Sequence, residues 1–189
     1  NKKLNKIVSI NQYDGTSNIM VSDYSDSLEF KSITNYDNGF QIFSVNWGDK
    51  GILFDATTSH GRDIYSISTD GKKTSKLFES FKDERDPDYN QNLDLLVWSD
   101  DRDQVFNLYY KDSKGTHKIT ELPGGAFYPS ISSDNKLAFS IFKDGGYKLA
   151  VINNFTSETQ KKNNVKSNAW DNFISDNHKN TNNIIETAI

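Results

Sequence analysis

The stretch VWSDDRDQVFNLYYKDSKGTHKITELPGGAFYPSISSDNKLAFSIFKDGGYKLAVI, residues 97–152, decides the fold. Apolar runs of three to six residues, rich in β-branched and aromatic side chains, alternate with turn dipeptides: Lys114-Gly115, Gly124-Gly125 and Gly145-Gly146. Short alternating runs bounded by such turns are strand signals, and no window here shows the 3.6-residue period of a helix. The same texture extends back to Ile7. GILFDA (51–56), DIYSIS (63–68), LDLLVWS (93–99), NLYYKD (107–112), KLAFSIF (136–142) and YKLAVI (147–152) all read as strands.

These strands recur in order. Phe54, Trp98 and Phe139 each end an apolar run, 44 and 41 positions apart, and are followed by Asp55, Ser99 and Ser140. Ten residues beyond each, an aliphatic opens a second strand: Ile64, Leu108 and Leu149. A polar residue precedes it every time (Asp63, Asn107, Lys148), and a third element follows at Leu77-Phe78 and Ile119-Thr120. The N-terminal stretch fits with one extra residue: Val8, then Asn18-Ile19 eleven further on, then Ile33-Thr34. Upstream of the reference residues lies a fourth run at Phe43–Trp47, more weakly at Asp88–Leu93, and again at Phe127–Ile131.

Four strands every 40 to 46 residues is the period of a propeller blade. A twisted four-stranded sheet that is apolar on both faces is stable only when neighbours cover it. Residues 1–155 are therefore expected to be an all-β partial β-propeller of about three to four antiparallel blades. Trp47, Phe54, Ile64, Trp98, Leu108, Phe139 and Leu149 are its expected inter-blade core. Residues 156–189 turn Asn- and Lys-rich and read as a loop or linker that leads on toward a next blade; TNNIIETAI (181–189) is either that blade's start or a short helix.

VNWGDKGILF (45–54) and ISSDNKLAFS (131–140), followed by DIYSISTDGKKTSKL (63–77) and NLYYKDSKGTHKIT (107–120), resemble the TolB-type, WD-like propeller repeat of bacterial envelope-associated proteins. The likeness covers about residues 7–155. The turn prolines of that repeat are replaced by Gly48 and Ser133, Asn135 stands for a turn glycine, and the repeat beginning near Asp86 lacks the turn motif. The resemblance implies a periplasmic or extracellular setting and a propeller of six or more blades, roughly 240 residues at about 40 each. It follows that the chain is expected to be a fragment, in keeping with a first residue that is Asn rather than Met.

Composition trims the functional classes. The 189 residues carry a net charge of −4, which argues against a basic nucleic-acid surface. Cysteine is absent, so thiolate metal sites and cysteine nucleophiles are absent too. No apolar run is long enough to span a bilayer as a helix. The sequence has no G-x-S-x-G elbow and no phosphate loop, and neither cofactor nor metal is expected. His60, His117 and His178 lie far apart, and the first two read as exposed turn residues. Eight carboxylates fall between Asp83 and Asp103 against Arg85 and Arg102, but Gln91 and Val97 occupy the glycine and glutamate positions of an EF-hand loop. Solvated turns fit this run better than a calcium site.

Scaffolds carry function on loops, and those entering the first strand of each blade hold Phe40 and Gln41, then Asp86, Asp88 and Tyr89, then Phe127 and Tyr128. Aromatic and acidic groups side by side suit a protein or peptide partner. The expectation is a non-catalytic, protein-binding propeller scaffold. The alternative is the propeller of a prolyl-oligopeptidase-like serine peptidase whose catalytic domain lies outside this chain.

Overall fold

The computed structural model describes residues 5–78 and 80–155, and the backbone of 184–188. The strands are β1 (Lys6–Tyr13), β2 (Thr16–Asp23), β3 (Lys31–Ser32), β4 (Ile42–Trp47), β5 (Ile52–Thr57), β6 (Arg62–Ile67), β7 (Thr74–Lys76), β8 (Glu84–Asn90), β9 (Leu95–Asp100), β10 (Asn107–Asp112), β11 (Gly115–Lys118), β12 (Ala126–Ile131), β13 (Leu137–Lys143), β14 (Gly146–Ile152) and β15 (Ile184–Ala188). They form four antiparallel meanders: β1-β2-β3, β4-β5-β6-β7, β8-β9-β10-β11 and β12-β13-β14-β15. The all-β, repeating-sheet expectation holds. Residues 156–183, with Trp170-Asp171 and His178, lie outside the described residues, and 184–188 pair with β14.

The chain divides into two compact units, 1–91 and 92–189. In the first unit, Ile19 and Val21 of the first sheet pack against Ile42, Ile52, Phe54, Ala56 and Ile67 of the second. In the second unit, Leu95, Val97, Leu108, Tyr110 and Ile119 pack against Leu137, Phe139, Ile141, Ala150 and Ile152. Burying each such side chain contributes about 1.5–3 kcal/mol. Phe54, Ile64, Trp98, Leu108 and Phe139 are buried and Trp47 is half-buried, but Leu149 is 36% exposed. The ladder gives the reason. Leu149 pairs with Ser140 on the face of the fourth sheet opposite Phe139, and no further sheet covers that face among the described residues.

In the first three sheets the polar residue before the aliphatic that follows the reference position (Asn18, Asp63, Asn107) ties down the last strand. Asn107 Oδ1 accepts from Thr120 Oγ1 (2.9 Å) and from the Leu122 N–H (2.9 Å), and Thr120 Oγ1 in turn accepts from the Leu108 N–H (2.9 Å). The first sheet repeats this network: Asn18 Oδ1 accepts from Thr34 Oγ1 (2.8 Å) and the Tyr36 N–H (2.7 Å), and Thr34 Oγ1 accepts from the Ile19 N–H (2.9 Å). Each network fixes the last strand of its sheet, β3 and β11, of two and four residues. In the second sheet Asp63 replaces Asn and Phe78 replaces Thr, and Asp63 instead pairs with Lys76 Nζ at 2.8 Å. The ladder also places Ser9 opposite Met20, where the second sheet has Phe54 opposite Tyr65. Ser9, and not Val8, is thus the structural counterpart of Phe54. Val8 points to the other face, toward the core.

Candidate functional site

The loops entering the first strands are tied to the hairpins between the second and third strands. Gln41 O accepts the Thr57 N–H (3.0 Å) in the first unit; Phe106 O accepts the Ala126 N–H (2.8 Å) in the second. At this end of the second, third and fourth sheets the first strand is distorted. β4 shifts register between Ile42 and Ser44, β12 between Phe127 and Ser130, and Asp86 (φ 54°) and Tyr128 (φ 53°) adopt left-handed backbone immediately before Pro87 and Pro129. A non-glycine residue there costs about 1–2 kcal/mol, and bulges of this kind re-aim side chains.

In the first unit the bulge turns out Phe43, 47% exposed, with the Arg62 guanidinium 3.7 Å above its ring. Arg62 Nη1 donates to buried Asp55 Oδ2 (3.1 Å), whose Oδ1 accepts from Ser44 Oγ. Asp83 accepts from the Arg62 N–H (3.2 Å) and from Arg85 Nε (2.8 Å) and Nη2, a hydrogen-bonded pairing that raises the guanidinium pKa of Arg85 still further. Of the residues singled out in sequence, Phe40 packs against Tyr36, its ring tilted with centres 4.3 Å apart, and Gln41 binds the carbonyls of Gly15 and Gly39. Asp88 accepts from Asn46 Nδ2 (2.7 Å) and from the Tyr89 N–H (3.0 Å), which ties it into the sheet.

In the second unit Phe127 lies within a ring cluster, with centroids 5.6 Å from Phe106 and 5.8 Å from Tyr147, which in turn meets Phe142 at 5.4 Å. Tyr128 stands out at 63% exposed. Here the structure brings Phe127 and Tyr128 together with aromatics that the sequence reading did not connect: Phe142 and Tyr147 flank the Asp144-Gly145 turn and reach Phe127 through the sheet. Phe43 and Arg62 were missed as well, because a bulge breaks the alternation from which facing is read.

The acidic run resolves into local pairs. Buried Asp100 accepts from Trp98 Nε1 (3.1 Å), the Arg102 N–H (2.7 Å) and Arg102 Nε (3.0 Å). Asp103 accepts from Lys118 Nζ (2.7 Å) and the Tyr109 hydroxyl (2.7 Å), which hold its carboxyl below the usual range; burial first, then that bond, pushes the Tyr109 phenol up. Among the described residues no group of three His, Asp or Glu side chains is placed to hold a metal ion. Of the two histidines read as exposed turn residues, His60 is exposed and His117 is half-buried. His60 meets the Phe81 ring edge-on at 5.5 Å, and His117, on β11, stacks on Tyr110 at 4.8 Å.

No protein-family model and no curated protein matches the sequence. Solved structures do match. TolB from Acinetobacter baumannii superposes with a TM-score of 0.64 at 18% identity, over 79% of this chain and 38% of its own. The fold is a TolB-type β-propeller. A putative TolB from Agrobacterium tumefaciens gives 0.63 at 14% identity, over 79% of this chain and 57% of its own. A Mycobacterium tuberculosis puromycin-hydrolyzing peptidase gives 0.61 at 9% identity, over 80% and 26%. The TolB-type chain thus spans less than two thirds of each of these proteins, and at these identities the likeness is one of fold.

Proposed function

We propose that this TolB-type propeller chain is a non-catalytic scaffold that binds a protein or peptide through the loops entering the first strands of its sheets, in the bacterial envelope or in a secreted protein. One observation carries the reading. Tyr128 is kept in a strained left-handed conformation and 63% exposed beside the Phe106–Phe127–Tyr147 cluster. Strain of this order persists where the surroundings enforce it, and such positions concentrate at binding sites. A rigid aromatic with a polar tip is also a favoured anchor at interfaces. Phe43 under Arg62 offers a second anchor of the same kind in the first unit.

The test is site-specific photo-crosslinking in the native cell with a photoreactive phenylalanine at position 128 or 43, compared with position 113 at the opposite end of β10. The expected result is a polypeptide captured from 128, and one from 43, and none from 113. Equal capture from all three positions refutes the reading. The fold it shares with the puromycin-hydrolyzing peptidase supports the peptidase-propeller alternative; labelling of the full-length polypeptide by a serine-hydrolase probe decides for that.

A further inference from the structure

The chain has three arginines, and two of them show what the edge of their guanidinium takes. Arg85 sets Nε and Nη2 on Asp83, with Nε at 2.8 Å, and Arg102 sets the same two nitrogens on Asp100, with Nε at 3.0 Å. Arg62 differs. It donates to Asp55 Oδ2 through Nη1 (3.1 Å), and among the described residues its Nε and Nη2 have no partner. Neither nitrogen is sealed from solvent, and the side chain is 22% exposed. An open edge of two N–H groups is the donor pattern that fits a carboxylate bidentately.

This edge is held in place before any ligand arrives. The guanidinium lies 3.7 Å above the Phe43 ring, and buried Asp55, itself fixed by Ser44 Oγ, anchors Nη1. The Arg62 N–H is tied to Asp83 at 3.2 Å. A side chain already immobilised gives up little conformational freedom on binding. The register shift between Ile42 and Ser44 leaves Phe43 47% exposed beside the edge, where it offers apolar surface. Charge selects among anions. Asp55 and Asp83 already balance Arg62 and Arg85, so the place takes one delocalised negative charge more readily than a dianionic phosphate.

We propose that the open edge of Arg62 takes a carboxylate of the partner, whose apolar neighbouring group lies on Phe43. The inference rests on the reading of Phe43 as a partner anchor and names the chemistry taken there. A chain-terminal carboxylate and an Asp or Glu side chain both supply it. In either case the partner brings the acceptor that Asp83 and Asp100 supply to the other two arginines.

The probes are N-acetyl-phenylalanine, which carries a terminal carboxylate, and acetyl-Phe-Asp-amide, which carries a side-chain one. N-acetyl-phenylalanine amide and phenyl phosphate are the comparisons. Binding at millimolar concentration is followed by NMR at the Arg62 Nε–H and at the amides of Phe43 and Arg62. At least one carboxylate probe is expected to bind about tenfold or more tightly than the uncharged amide, and the tighter of the two identifies the source. Arg62→Lys keeps a cation for Asp55 but loses the fork, and is expected to abolish that preference. Should Arg62→Lys fail to fold, the comparison of the four probes on the wild type decides by itself. Equal binding of acid and amide, no shift at Arg62, or tighter binding of phenyl phosphate overturns the proposal. Photo-crosslinking separates this failure from that of the scaffold reading. Capture from position 43 that persists unchanged in Arg62→Lys overturns the carboxylate and leaves the scaffold standing, whereas no capture from 43 in the wild type removes the anchor itself.

Discussion

Asn107→Ala tests whether the side-chain network, rather than the ladder, holds the end of the third sheet. Asn107 is 3% exposed and Thr120 2%, so the truncation strands two buried donors, the Thr120 hydroxyl and the Leu122 N–H. Each unsatisfied buried group costs about 1–3 kcal/mol. Together they predict a loss of about 3 kcal/mol, or about 6–12 °C in Tm for a chain of this size. Thr120→Val removes one acceptor, that of the Leu108 N–H, and is expected to cost about 2 kcal/mol. Both act through the same bonds, so the double variant falls short of the sum by about 1 kcal/mol or more. The assay is urea unfolding followed by the fluorescence of Trp98, which is buried in the same sheet with its indole N–H on Asp100. Single costs below about 0.5 kcal/mol, or strict additivity, refute the reasoning and reduce the polar residue before each second strand to an accident of composition.

Leu108 and Leu149 occupy equivalent repeat positions in different surroundings, so Leu108→Ala is expected to cost about 3 kcal/mol and Leu149→Ala under about 1 kcal/mol by the same unfolding assay. Tyr128→Asn suits the left-handed backbone better and is expected to stabilise by about 1 kcal/mol while it abolishes capture of the partner. The Asp103–Tyr109 bond gives two opposite pH limbs. The carboxyl is depressed when folded, so its contribution is complete above its unfolded value of about 3.9 and fades as pH falls through its lower folded value; the raised phenol contributes fully below about 10 and fades above it. Asp103 is half exposed, so its share is discounted to about 1 kcal/mol at most. Asp103→Asn should flatten the acid limb in a pH series of melting temperatures, and Tyr109→Phe the alkaline one.

The repeat was legible because burial leaves a periodic trace: the aliphatics ten residues beyond Phe54, Trp98 and Phe139 each pair with the residue just after the aromatic, Ile64 with Asp55, Leu108 with Ser99 and Leu149 with Ser140. Where the trace misled, a physical feature intervened. Spacing alone could not place Ser9 rather than Val8, since a serine in that slot carries no hydrophobic signal. Leu149 keeps its repeat position but not its burial, because position says nothing about whether a neighbour is present. The weak run near Asp88 became β8, four residues earlier, since its residues, ERDPDYN, are mostly charged or polar and leave no apolar alternation to read. The loops entering the first strands were legible from turn spacing, but which of their side chains turn outward depended on bulges, and a bulge is invisible to a period-two reading.

The second sheet shows what the Asn–Thr network permits over generations. There the Asp63 carboxylate pairs with the Lys76 ammonium, and Phe78 takes the place of the hydroxyl. Either chemistry fastens the last strand, but a half-converted sheet would bury a lone charge or a lone amide. Substitutions at these places are thus inherited in linked sets, and among relatives they should change in concert while the surrounding apolar positions drift one at a time.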